Sequence, residues 1–219
     1  MCEKYPNVSQ YAYCGNNPVR YVDPDGKRLV DSNGKIMYQN GKWLNNSGEG
    51  ARLIGNNMCL TSTGREFFSN LVSADYNVQL VYDKITTEVD GRPKIGEARI
   101  SYDSKGEVTS AKITVFEINL KGELDNLTEI KNRGLTVLSA TDNQITMLRE
   151  GIPTVNERIG QVGVHEAEHV LNPAARPISG GDYEGVALRA ESKAIRETYM
   201  LKPLPIPEIK VPQQQILYP

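Results

Sequence analysis

His165 and His169 are the two histidines of a 219-residue chain, and both lie in the stretch 162–173, VGVHEAEHVLNP, with Glu166 directly after the first. A His-Glu-x-x-His pattern arises by chance in fewer than ~1% of chains of this length at average composition, so a chemical reason is the better first explanation. On a helix, at roughly 100° per residue, residues four apart lie about 40° from each other and one turn along. Both imidazoles can then reach one ion while Glu166 projects beside them. In that geometry two neutral imidazoles hold zinc and the neighbouring carboxylate takes a proton from water activated there. The expectation is one Zn2+ per chain, held by His165 and His169, with Glu166 as general base.

A catalytic zinc takes three protein donors and keeps one position open. With no third histidine in the chain, the remaining donor has to be a carboxylate. The stretch 182–200, DYEGVALRAESKAIRETYM, reads as a long helix capped by Asp182. On a wheel, Glu184, Ala187, Leu188, Glu191, Ala194, Ile195 and Thr198 share one face, and Arg189, Ser192, Lys193 and Arg196 take the other. Glu184 and Glu191 are two turns apart, about 10.8 Å, so one ion cannot take both. The helix dipole already accounts for a carboxylate in the first turn, which covers Glu184. Glu191 stands inside the apolar stripe, where a bare charge is costly without a cation. Glu191 is therefore the expected third ligand, with Glu184 as the alternative. Tyr183 and Tyr199 flank this stripe as candidates for a transition-state donor. Glu168 is expected on a solvated face.

The elements that must position these groups follow from local pattern. Thr154 and Glu157 form a capping box after Pro153, and Asn172-Pro173 should end the helix that carries the histidines. The stretch 61–73, TSTGREFFSNLVS, has Phe67, Phe68, Leu71 and Val72 at helical spacing behind Ser62 or Thr63 as cap. YNVQLVYD, EARISYD and KITVFEINL alternate and are rich in β-branched residues, with Ser104-Lys105-Gly106 turning the second into the third. They predict a small, mostly antiparallel sheet. Asn33-Gly34 and Asn40-Gly41 mark small hairpins in a connector spanning 28–60. Between 121 and 151 at most a short helix is expected, around 144–150. The class is α+β.

The chain carries 25 basic and 27 acidic residues without a block of either sign, which speaks against a nucleic-acid surface. It has no apolar run of membrane-spanning length, and the residues after Met1 lack a signal-peptide pattern, so no membrane span and no address are expected. Cys2, Cys14 and Cys59 are too widely spaced for a zinc knuckle and odd in number, and are read as structural or incidental.

The histidine motif followed by a glutamate on a later helix resembles the zincin metallopeptidases, in the branch that draws its third ligand from such a glutamate. The resemblance implies a zincin-like fold over 61–219, zinc-dependent peptidase activity on a peptide or protein substrate, and an edge strand that holds the peptide by β-addition, for which KITVFEINL is the candidate. The metzincin glycine and third histidine are missing, as is an acidic residue one turn after Glu191, where Ile195 stands. Near the start, Tyr11, Tyr13, Asn16, Asn17, Pro18, Asp23, Pro24 and Gly26 resemble the conserved end of Rhs/YD-repeat cores, so 1–27 reads as a remnant of such a core. Lys27 stands where self-cleaving members carry an apolar residue, and autocleavage there is not expected. In that family a variable domain, often a toxin, follows this motif. The resemblance implies a secreted or cell-surface effector with an immunity protein as partner. The rival readings are an inactive zincin-like binding module and a shell or adhesion fragment with a structural metal.

Overall fold

Two segments of alternating β-branched residues, far apart in sequence, meet side by side and form the spine of the molecule. The computed structural model describes residues 29–89, 91–135, 140–173 and 183–200. The proposed core remnant over 1–27, Cys2, Cys14, Asp182 and residues 201–219 lie outside the described residues. Strand β1 (Tyr38–Gln39) and β2 (Lys42–Trp43) form a hairpin whose turn residues Asn40 and Gly41 both have positive φ, 53° and 75°, as a two-residue turn requires. Helices α1 (Glu49–Met58) and α2 (Ser62–Val72) follow, α2 capped by the Thr61 side chain on Gly64 N. The central sheet is built from β3 (Asn77–Asp83), β6 (Gly96–Tyr102) and β7 (Val108–Phe116), with the hairpin β4 (Glu88–Val89) and β5 (Arg92–Pro93) between. The helices are completed by α3 (Glu117–Arg133), α4 (Asp142–Glu150), α5 (Val155–Leu171) and α6 (Tyr183–Met200). The chain is α+β.

The sheet runs in the order β3-β7-β6, with β3 parallel to β7 and β6 antiparallel to it. It is thus a mixed sheet, and the mostly antiparallel reading holds only for the β6–β7 pair, turned at Gly106 with φ 83°. KITVFEINL is not an edge strand. Its first half ends β7, the central strand, and Glu117 begins α3. Buried alternation explains the placement: Val78 and Leu80 of β3 pair with Ala111 and Ile113 of β7, and all four are buried.

The 28–60 segment is more than a connector, because Leu29, Met37, Ala51, Ile54 and Met58 belong to the main core. Helix α1 packs on α5 and on β3. The expected short helix over 144–150 is α4, but the 17-residue α3 before it was not anticipated. It buries Leu120, Leu124 and Leu127 and ends at Gly134 in the left-handed conformation, φ 63°. Among the described residues no helix is long and apolar enough to cross a membrane. Cys59 is a partly buried free thiol.

Helix α5 lies at the centre, with 12 of its 17 residues buried, including Val162, Val164, Ala167 and Val170. Its contact with α1 is so close that a Cβ on Gly160 would lie 2.2 Å from the backbone oxygen of Asn57. Backbone cannot rotate away as a side chain could. Gly160→Ala, which in an open helix would gain roughly 1 kcal/mol, should therefore lower stability by about 1–3 kcal/mol or more. Urea denaturation of the two proteins reads the sign directly, and a more stable variant would show that the helices are not in backbone contact.

Candidate metal centre

Helix α5 is anchored at its start by the expected capping box: Gly-free, polar and reciprocal, Thr154 Oγ1 accepts from Glu157 N while the Glu157 carboxylate accepts from Thr154 N at 2.6 Å. Asn172 caps its end before Pro173. His165 and His169 then fall on the face turned toward α6. The contacts His169–Glu184, His165–Glu191 and Gln161–Thr198 show that the two helices run antiparallel, the start of α6 meeting the end of α5.

That direction decides which glutamate reaches the histidines. His165 Nε2 and His169 Nε2 are 3.2 Å apart. Glu184 places one carboxylate oxygen 3.1 Å from His165 Nε2 and the other 3.3 Å from His169 Nε2. A tetrahedral ion with bonds of about 2.0–2.1 Å spaces its ligand atoms roughly 3.3–3.4 Å apart. The two imidazole nitrogens lie close to that spacing, each oxygen of Glu184 approaches a different one of them, and with one donor atom from each residue all lie within 4.8 Å of one another, so the group could hold a metal ion. Glu184 is two-thirds exposed, so the cluster opens onto a cleft rather than being closed within the core.

Glu191, the expected third ligand, is not among these donors. It is 4% exposed, and its Oε2 lies 3.0 Å from Nδ1 of His165, on the far side of the ring from Nε2. Its Oε1 takes a hydrogen bond from Arg158. Buried among apolar neighbours, Glu191 does have a cation beside it, but that cation is the Arg158 guanidinium on α5. The chain thus supplies the orienting carboxylate for which no acidic residue after Glu191 was available. A wheel of α6 alone does not show its direction relative to α5, and the antiparallel course is what pairs residue 184 with the end of the histidine helix.

The electrostatics follow from these contacts. Burial would favour the neutral acid of Glu191, but the Arg158 charge and the His165 contact hold its carboxyl below the usual range. An ionised Glu191 can only accept, so Nδ1 of His165 carries a proton and Nε2 is the nitrogen turned toward the cluster. Lone pairs from two rings and a carboxylate at these distances repel unless a cation or protons lie among them. In the metal-free protein it is protons. Burial opposes the His165 imidazolium, but hydrogen bonds to Glu184 and Glu191 outweigh it and lift the group to about 10. Hydrogen bonds from His165 and then His169 hold the Glu184 carboxyl well below its ordinary value.

Glu166 lies in the same cleft, 6% exposed, beneath the first residue of β6. A Cβ on Gly96 would come within 2.4 Å of Glu166 Oε1, so a strand carrying any side chain there could not pass over the carboxylate undisturbed. Burial pushes Glu166 up to about 7, against the opposing charge of His165. The cleft has a volume near 1080 Å³ and runs between β6, α3, α4 and the two site helices.

Other expected roles change. Glu168 is buried rather than solvated, and accepts a hydrogen bond from Asn172 Nδ2 at 2.6 Å at the end of α5. Tyr199 donates its hydroxyl to the Gly151 carbonyl, which makes it a structural tie between α6 and the loop before α5. The Tyr183 side chain lies outside the described residues.

No family model, curated protein or solved structure matches the chain.

The geometry separates the two α6 glutamates by effect. Glu184→Gln should weaken zinc binding by orders of magnitude, whereas Glu191→Gln should weaken it about 10–100-fold, the range for a group that orients a ligand. Titration of each variant against a chelator distinguishes them, and equal losses would contradict the assignment. Zinc must also displace the proton from His165. Since that group titrates near 10 in the metal-free protein, its apparent zinc affinity should rise about tenfold per unit between roughly pH 6 and 8. A flat profile over that range would mean that no ring proton is displaced.

Proposed function

We propose that the protein is a zinc-dependent peptidase of the zincin type, with His165, His169 and Glu184 as ligands and Glu166 as general base. The single observation that carries this reading is the convergence of donor atoms from His165, His169 and Glu184 within 4.8 Å of one another, beside a buried carboxylate that lines the same cleft. When bound, zinc supplies the Lewis acidity that makes water a nucleophile near neutral pH. The chain's own groups do the rest. Glu166 titrates near 7, so at neutral pH its carboxylate can accept the proton that water loses and later return it to the departing amine. Glu191 keeps the Nδ1 proton on His165, so its Nε2 stays available to a metal.

Three protein donors are one fewer than a closed structural site uses, and the exposed side of Glu184 faces the cleft, which favours a catalytic metal over a structural one. The outer strand β6 borders that cleft and, among the described residues, offers an unpaired backbone edge for an extended peptide, the role expected of KITVFEINL. The Rhs-like pattern over 11–26 supports a place for the domain as an exported effector or toxin with an immunity protein as partner.

The experiment uses zinc-loaded protein and an unstructured protein such as casein as substrate. Glu166→Gln should keep one zinc per chain and lose about 10²–10⁴-fold of the hydrolysis rate, because the amide preserves shape but cannot accept the proton. Phenanthroline should abolish wild-type hydrolysis, and added zinc should restore it. Hydrolysis that survives in Glu166→Gln, or loss of zinc from that variant, overturns the role given to Glu166.

A further inference from the structure

Behind His165 the structure holds a second layer of charge that the proposed chemistry does not use. Arg158 is 2% exposed, two turns before His165 on the same face of α5. On one side its guanidinium meets Glu191 Oε1. On the other, Arg158 Nε donates to Glu123 Oε2 at 2.8 Å and a terminal nitrogen donates to Glu123 Oε1 at 3.3 Å. Glu123 Oε1 also accepts from Gln144 Nε2 at 3.1 Å, and Gln144 is the residue that closes the capping box of α4. The chain of contacts runs without a gap from α4 through α3, α5 and Glu191 of α6 to the ring of His165.

We propose that Arg158 is a positioning residue for the metal site. By holding one oxygen of Glu191, it leaves the other fixed on the Nδ1 proton of His165, and Glu123 in turn fixes the guanidinium. Stability alone does not account for this arrangement. A buried ion cluster is at best about as stabilising as apolar side chains of the same volume, which would hold three helices together equally well. What apolar side chains cannot supply is direction. A carboxylate free at both oxygens can turn about its last bond and accept with either, whereas Glu191 with Oε1 tied presents only Oε2. The planar fork of arginine can bind two carboxylates on different edges at once, which a lysine ammonium cannot do in the same geometry. Two carboxylates against one guanidinium also leave one negative charge, and it faces the N–H of the ring whose opposite nitrogen points at the metal site.

The proposal depends on the metal reading only for one of its two measurements. The chain has two histidines, so the imidazole region of a ¹H–¹⁵N spectrum reports two rings and no others. Arg158→Lys keeps a buried positive charge but loses the fork. At fixed pH, the His165 Nδ1–H resonance of this variant should exchange with water faster than in the wild type, and zinc affinity should fall at least about tenfold at unchanged stoichiometry. Glu123→Gln, which does not touch Glu191, should show both changes to a smaller degree. If either folded variant retains the wild-type ring signal and zinc affinity, Arg158 is a structural ion and the proposal is wrong. Should Arg158→Lys fail to fold, Glu123→Gln decides the question on the same two readings. The ring signal is read on metal-free protein as well. A chain that takes up no zinc yet loses the protected Nδ1–H in Arg158→Lys overturns the metal reading and upholds only the orientation of the His165 ring by Arg158.

Discussion

A guanidinium cannot be buried alone, and the burial of Arg158 near the start of α5 obliges the rest of the fold to bring carboxylates to it. Glu123 arrives from α3 and Glu191 from α6, and Gln144 of α4 completes the shell on the far side. Three helices are thereby held in rotation as well as in distance about α5, since a shift of one residue in any of them would withdraw its polar group. Apolar packing supplies the area: Ile159 and Val162 of α5 and Ala194 of α6 are all but fully buried in the main core. It does not supply register. The polar contacts do, and the candidate metal site inherits its geometry from them.

The two glutamates of α6 show how one helix can serve both layers. They are seven residues apart and share a face, but the antiparallel course of α6 sets Glu184 beside the Nε2 atoms and Glu191 beside Nδ1 of the same ring. One carboxylate is largely exposed and the other is buried, and each environment suits its partner. A solvent-facing carboxylate can accept a metal or release it, while a buried one keeps the same hydrogen bond throughout.

Local signals were strong where helices announce their ends. The Thr154–Glu157 box and Asn172-Pro173 bracket α5 as expected, and the inward face of α6 matches the burial of Ala187, Glu191, Ala194, Ile195 and Thr198. The turn at Gly106 was legible for the same reason. Helix α1 was not, because Gly50 and Gly55 look like breakers. Their reason is tertiary: a Cβ would meet Tyr82 at the first and Phe68 and Trp43 at the second. Helix α3 was hidden by Gly122 and by a first turn whose residues continue the β-branched run of β7, although Leu120, Leu124 and Leu127 carry a helical period. The partner of Glu191 lay beyond any single-helix projection, since a wheel shows which residues face inward but not what faces them.

The order of the elements along the chain has a consequence in time. During synthesis the histidine helix emerges before α6, so a nascent chain that ends at Leu171 already contains His165, Glu166 and His169 but neither glutamate that completes their surroundings. Arg158 then has Glu123 as its carboxylate partner from this cluster, and His165 lacks the acceptor that fixes its tautomer. The assembled centre comes into existence only when α6, the last described helix, leaves the ribosome and docks. Until then the two imidazoles have no carboxylate from α6 beside them, and the cluster stands incomplete.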